Sequence, residues 1–128
     1  MDIKELLPKD KFDNNGLNRL SELTDEEIKP FIPDLLVWVQ DMNFPVAEAV
    51  CRVIAGHYAV ADDEIIKLLD ISQTDELWKY FIITGLLPVI ENPSDSLINA
   101  VRRIALNPSD SEITEEVEEV AKEYLNIM

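Results

Sequence analysis

The chain has 128 residues, 47% of them hydrophobic, and a formal net charge of -15. That size and content fit one globular domain, residues 1–128, with a continuous core, and exclude a disordered chain. The acidity argues against direct contact with nucleic acid or an anionic membrane, while basic partners would be attracted and steered.

Only 3 Gly are present, and the abundance of Leu, Ala, Glu and Lys leans toward helices. Residues 6–13, LLPKDKFD, read as an extended lead-in, because Pro8 disfavours helix at Leu7. Leu6, Leu7 and Phe12 could tuck onto a core. A short helix is expected from Asn15 to Leu23, with Leu17, Leu20 and Leu23 on one side and Gly16 weakening its start. Thr24-Asp25-Glu26-Glu27 is a capping-box pattern. Pro30 and Pro33 predict a break near Phe31 and a restart at Pro33. The restarted segment, Asp34 to Asp41, is strongly apolar.

Pro45 suits the start of the next helix. Val46, Ala49, Val50, Val53 and Ile54 recur with the period of a buried helical stripe, and Gly56 makes a plausible stop. Asp62-Asp63-Glu64 is expected at the following helix start, where negative charge complements the macrodipole. Ile65, Ile66, Leu68, Leu69 and Ile71 would supply its apolar side. Thr74 or Asp75 caps the next segment, Leu77 to Leu87. Its Tyr80-Phe81-Ile82-Ile83-Thr84 run has strand-like propensity, but length and the cap favour a buried helix ended or bent by Pro88.

Asn92-Pro93-Ser94-Asp95-Ser96 recurs as Asn107-Pro108-Ser109-Asp110-Ser111. Each copy reads as a helix stop followed by an N-cap. The helix between the copies carries Leu97, Ile98, Val101, Ile104 and Ala105. The terminal helix carries Ile113, Val117, Val120, Ala121, Tyr124 and Leu125, with Glu112, Glu115, Glu116, Glu119 and Glu123 on an outer, solvent-facing side. Such a polar face suits the cap of a solenoid.

A second echo joins Asp41-Met42-Asn43-Phe44 with Asp75-Glu76-Leu77-Trp78. An acid, two spacers and an aromatic return after 34 residues, within the range of stacked helical hairpins. The predicted fold is therefore all-α: a HEAT/armadillo-like right-handed stack of antiparallel helix pairs, an α–α superhelix.

Three stretches also resemble a known bacterial family. They are Leu6-Leu7-Pro8-Lys9-Asp10-Lys11-Phe12-Asp13, the run from Pro33 through Trp38 and Pro45 to Ala47, and Trp78-Lys79-Tyr80. In this order they resemble the family catalogued as domain of unknown function 5071. The resemblance spans most of the chain and implies a HEAT-like helical fold in a bacterial, cytoplasmic setting. It brings no catalytic residue or substrate.

Cys51 is the only cysteine, so no disulfide can form within the chain, which is compatible with a reducing compartment. Met1-Asp2-Ile3-Lys4-Glu5 lacks the features of a signal peptide, and no apolar run nears the roughly 20 residues that span a bilayer. A cytoplasmic location is expected. Cys51 and His57, if on one helix, are about 120° apart and about 9 Å along the axis, which does not pair a thiol with its base. Asp62-Asp63-Glu64 and the Glu115–Glu119 acids lack the spacing of a calcium loop and read as solvated charge. Among 26 acids a chance carboxylate pair carries little information, and no phosphate loop, nucleophile elbow or zinc-protease motif occurs. The expectation is no catalytic residue, no metal and no cofactor.

The remaining constellation is aromatic and polar: Trp38, Gln40, Asp41, Asn43, Trp78, Lys79 and Tyr80, around two repeat boundaries. On a concave face these would bind a partner, and otherwise they wedge layers and cap helices. The favoured function is a non-enzymatic protein-interaction module for a protein partner, basic by charge complementarity, of immunity or regulatory type. The alternative is a small-molecule binder or enzyme with a groove lined by Trp38, Asp41, Trp78 and Tyr80. The oligomeric state is not legible from the residues.

Overall fold

A computed structural model describes residues 2–127. Among them no strand forms, and the order is helical throughout. A 3-10 turn at Ile3–Leu6 leads to α1, Leu17–Glu22, then α2, Asp25–Ile28, and α3, Ile32–Leu36. The chain continues through α4, Ala47–Gly56, α5, Tyr58–Leu69, and α6, Glu76–Phe81, which passes directly into a π-helical turn at Ile82–Leu86. The last third comprises α7, Asp95–Leu106, α8, Asp110–Thr114, and α9, Val117–Ile127.

Local chemistry sets most of these starts. Thr24 and Glu27 bond each other's backbone amides at the head of α2, the reciprocal capping box. Ser94 caps α7 through the Leu97 amide, and Ser109 caps α8 through the Glu112 amide. Asp75 caps α6 through the Trp78 amide at 3.0 Å. Pro30 lies in a 3-10 turn and Pro33 in the first turn of α3, so the expected break at Phe31 is a tightening of the helix. The segment 77–87 is helical, but its second half is widened. Pro88 has no amide, and its ring would meet the Thr84 carbonyl in regular α geometry, which the π turn relieves.

Four expectations are corrected. The helix bearing Asp62-Asp63-Glu64 begins at Tyr58, so these acids lie within it and not at its start. Only His57 separates α4 from α5, and it is pinned by Asp25 Oδ1 at Nδ1 (2.8 Å) and by the Leu20 carbonyl at Nε2 (2.9 Å). Asp41 does not cap α4; its carboxylate accepts from the Asn43 amide in a local turn, and α4 has no side-chain cap. The terminal helix is two helices, because Glu116 takes a left-handed conformation (φ 64°) between α8 and α9. Phe12 is exposed, and so are Ile71 and Ile113.

The helix contacts follow a rule. Neighbours α3 and α4, α4 and α5, α5 and α6, and α8 and α9 pack together. Next-but-one helices also pack, α3 on α5, α5 on α7 and α7 on α9, and more distant elements join them, α4 on the π turn and both α6 and the π turn on α9. Polar anchors fix the register. Tyr58 Oη accepts from the Ser94 amide at 2.8 Å, and Ser94 Oγ donates to Asp62 at 2.9 Å. At the other end of the same helices, the Leu69 carbonyl accepts from Arg103 at 2.8 Å. Start meets start and end meets end, so α5 and α7 run parallel. The core is one cluster, from Leu17 and Leu20 through Ile54, Ile65 and Leu86 to Val101 and Tyr124.

Gly16 has a packing reason. A Cβ there would lie 2.2 Å from the Leu6 carbonyl oxygen, so the lead-in backbone crosses α1 where only glycine fits. Gly56, at the end of α4, has open space around the same position. Gly16→Ala is expected to destabilise the fold by about 2 kcal/mol. Gly56→Ala should stabilise it by about 0.5–1 kcal/mol. Urea unfolding of both variants checks the contrast.

Candidate functional site

Two adjoining cavities, about 700 and 240 Å³, lie between the Lys29–Leu36 stretch and α5, and both are lined by Pro33, Glu64 and Lys67. Lys29, Pro30, Val60 and Asp63 border the larger one. Leu36, Leu68, Gln73 and Trp78 close the smaller one. Trp78 is placed there twice over. Its amide is held by Asp75, and its indole Nε1 donates to the Leu36 carbonyl at 3.0 Å. Leu36 passes directly into a 3-10 turn at Val37–Gln40, and the indole bond to its carbonyl fastens α6 to that junction. Glu64 and Lys67 pair at 3.2 Å on the rim, where exposure makes the pair worth little. A separate hollow of about 510 Å³ lies between Arg52, Gly56 and Tyr58 on one side and Val89–Asn92 on the other.

Behind Trp78, the next turn of α6 enters a buried ion network. Lys79 Nζ bonds Glu112 Oε2 at 2.9 Å and lies 3.4 Å from Glu76. Arg103 forks onto Glu112, with Nη1 on Oε1 and Nη2 on Oε2. The Ser109 amide donates to Glu112 Oε1 at 2.8 Å, and Ser111 Oγ donates to Glu76 Oε1 at 3.2 Å. Two cations and two anions balance. Glu76 Oε2 is buried and has no hydrogen-bond partner among the described residues. Burial pushes the Glu112 carboxyl up, but Arg103, the Ser109 amide and Lys79 together outweigh it and hold it at about 2.

The sequence-derived surface is thus partly inside. Lys79 is fully buried, a correction whose cause is the pull of Glu112 and Glu76. Glu112, expected on the outer face of the terminal helix, is also fully buried. Trp38 is half-buried, its ring edge-on to Phe44 at 5.9 Å. Tyr80 is half-buried and edge-on to Phe81 at 5.5 Å. Gln40 and Asp41 are half-buried, and Asn43 is exposed. Trp78 and Tyr80 are two residues apart on one helix and so point to different sides. Trp38, Asp41 and Tyr80 do not line the cavity that Trp78 closes. Sequence reasoning missed Glu76, Arg103 and Glu112. The available signal was the Ser109-x-x-Glu112 spacing, which repeats Thr24-x-x-Glu27.

Cys51 is buried on α4, with its thiol 3.8 Å from Met42 Sδ. Burial, then the Glu48 charge, push it up to about 12, so it stays a thiol at neutral pH. His57 is engaged at both ring nitrogens by Asp25 and Leu20, not by Cys51.

The family model for the domain of unknown function DUF5071 matches residues 6–125. The chain belongs to that family. No curated protein matches it. For this DUF5071 member, no helix among the described residues is long and apolar enough to cross a membrane.

Glu112→Gln is expected to lower stability by about 3 kcal/mol at pH 7, because it uncouples a buried ion cluster. A depressed carboxylate stabilises fully above its unfolded value, 4.5, and loses that contribution as pH falls toward 2. The gap between wild type and Glu112→Gln in urea should therefore be constant above pH 5 and close between pH 4.5 and 2. Ellman's reagent at pH 8 should leave Cys51 unmodified in the folded protein and titrate it fully in denaturant. Rapid labelling of the native chain would contradict the burial.

Proposed function

We propose that this chain is a non-enzymatic protein-interaction module, a HEAT/armadillo-like right-handed superhelix whose partner is a basic protein. The repeat reading is supported by the spacing of the polar anchors. Long-range side-chain bonds cluster at sequence separations of 32 (His57–Asp25), 33 (Lys79–Glu112), 34 (Arg103–Leu69), 35 (Ser111–Glu76) and 36 (Ser94–Tyr58). Each unit is tied to the unit one hairpin away, as in a stack whose members touch only their neighbours.

The observation that carries the functional reading is the charge of the turns. Residues 34–43 hold Asp34 and Asp41 without a Lys or Arg. Residues 70–77 expose Asp70 and Asp75, and residues 106–116 expose Asp110, Glu115 and Glu116, again with no base, while Glu76 and Glu112 are buried against Lys79 and Arg103. Fields of one sign steer complementary partners and repel nucleic acid and anionic membranes. An immunity-type inhibitor or regulatory binder in the bacterial cytoplasm fits this description.

A second reading rests on the cavity under Trp78. Its apolar floor of Leu36 and Leu68 and its polar rim of Gln73, Glu64 and Lys67 are the composition of a small-ligand site.

Capture from a bacterial lysate at low ionic strength tests the first reading. A basic protein should be retained and then released as salt rises to about 0.5 M, where surface charges are screened. An Asp34→Asn/Asp70→Asn/Asp110→Asn variant should retain less of it. Equal retention by the variant, or none by the wild type, would count against the module. For the second reading, a Trp38→Phe variant leaves Trp78 as the sole indole, and a saturable change in its emission with a small molecule would favour a ligand.

A further inference from the structure

We propose that Val37, Ile71 and Leu106 form an apolar ladder along one edge of the molecule, and that this ladder seats a cationic amphipathic helix of the partner protein. The inference rests on the interaction-module reading and specifies its surface and its ligand.

The three residues are 45%, 56% and 74% exposed, and none belongs to the core cluster. Single exposed apolar residues are ordinary. These are not scattered. Val37 directly follows α3, Ile71 lies just past α5, and Leu106 ends α7. These three helices are consecutive members of one packed row, α3 on α5 on α7. From Val37 to Ile71 is 34 residues and from Ile71 to Leu106 is 35, within one residue of the separation of 34 in the Arg103–Leu69 anchor. The rungs therefore recur at near-equal spacing, each within two residues of the C-terminal end of its helix.

A second pair repeats the pattern. Leu77 is the second residue of α6 and Ile113 lies in α8, 36 residues on, and both are exposed. The Ser111–Glu76 bond joins α8 to the start of α6. Of the seven large apolar side chains exposed among the described residues, five occupy these two repeat positions. The two outliers are Phe12 and Ile127.

The ladder stands on a stiff base. Arg103 ties the end of α7 to the end of α5 and to Glu112 of α8, and Lys79 ties α6 to the same carboxylate. A surface already fixed before binding loses little entropy on docking.

Geometry and charge select the occupant. Packed helices lie about 8–10 Å apart, so the rungs recur at about that interval. A helical ligand presents one face every seven residues, about 10 Å along its axis, and matches. A strand covers about 10 Å in three residues, an odd step that turns alternate side chains away. Asp34 in α3 and Asp41, Asp70, Asp75 and Asp110 in the turns and helix starts beside the rungs outnumber the exposed Lys67 and Arg102, one helical turn before Ile71 and Leu106, so the flanks of the ligand helix are cationic. A second copy of this chain would bring a further charge of -15 to the same edge.

The test uses the full chain and two synthetic Lys-rich helical peptides of equal composition. One places Leu at i, i+7 and i+14, and the other disperses the same Leu residues around the helix. Fluorescence anisotropy should show the first binding about tenfold more tightly or better. Val37→Ser/Ile71→Ser/Leu106→Ser should erase that difference with an unchanged helical melt, while Phe12→Ser, off the ladder, should preserve it. Equal, salt-sensitive binding of both peptides would overturn the ladder and leave the acidic-module reading standing. Binding of neither peptide at low salt would overturn both. Self-association of the wild type that the triple variant abolishes would assign the edge to a second copy and overturn the proposal.

Discussion

Two polar anchors at opposite ends of α5 and α7 set the frame on which the other contacts depend. Tyr58 and Asp62 hold the cap of α7, and the Leu69 carbonyl holds Arg103 near its end. One anchor would leave the helices free to pivot, whereas two fix both direction and register. Apolar packing supplies most of the driving force but is non-directional. Ile65 and Leu69 could meet Leu97, Val101 and Ile104 in several alignments. Hydrogen bonds that must be made by buried groups remove the wrong ones, because a slipped register would leave the Asp62 and Arg103 groups without partners.

The same economy explains the ion cluster around Glu112. Desolvating four charged groups is costly, and a buried pair is by itself weak evidence for stability. Here the bidentate Arg103 fork, the Ser109 amide and Lys79 saturate one carboxylate. The arrangement joins the ends of α5 and α7 to α6 and α8, segments that are otherwise short. Helices of five or six residues do not persist alone. α6 and α8 exist because their caps and this cluster hold them.

What was legible in the sequence follows from range. The caps at Thr24, Asp75, Ser94 and Ser109 were readable because the bonds close within three residues. The stripe on α4 was readable because its period is local. The early start of α5 was not, since His57 is pinned by Asp25 and Leu20, more than thirty residues back. Asp41 and Asp75 share a spacing but not a role. Two residues beyond Asp41 the chain is still in a turn, with Pro45 ahead of the helix, while Asp75 abuts one. Lys79 was misplaced because a lysine at a helix start reads as surface unless its acceptors are known. Those acceptors come from Glu112, 33 residues away.

That misplacement has an electrostatic consequence. The chain has 11 Lys and Arg against 26 acids, and at this edge Lys79 and Arg103 turn inward while Lys67 and Arg102 stay exposed. Lys79 is wholly buried, and Arg103 is largely so, its guanidinium spent on Glu112 and Leu69. Their charges are paired with buried carboxylates. Asp70, Asp75 and Asp110 remain on the exposed side with no surface cation in their own turns. The cluster cancels two cations against two anions, so the charge this edge shows is that of the exposed Asp70, Asp75 and Asp110, and its exposed Ile71, Leu77 and Ile113 lie near them in sequence. A soluble surface normally intersperses both signs of charge and keeps apolar groups apart. Exposed acids beside periodic apolar positions, over helices tied together by the Glu112 cluster, are the features on which the proposed docking of a basic, one-sidedly apolar helix rests.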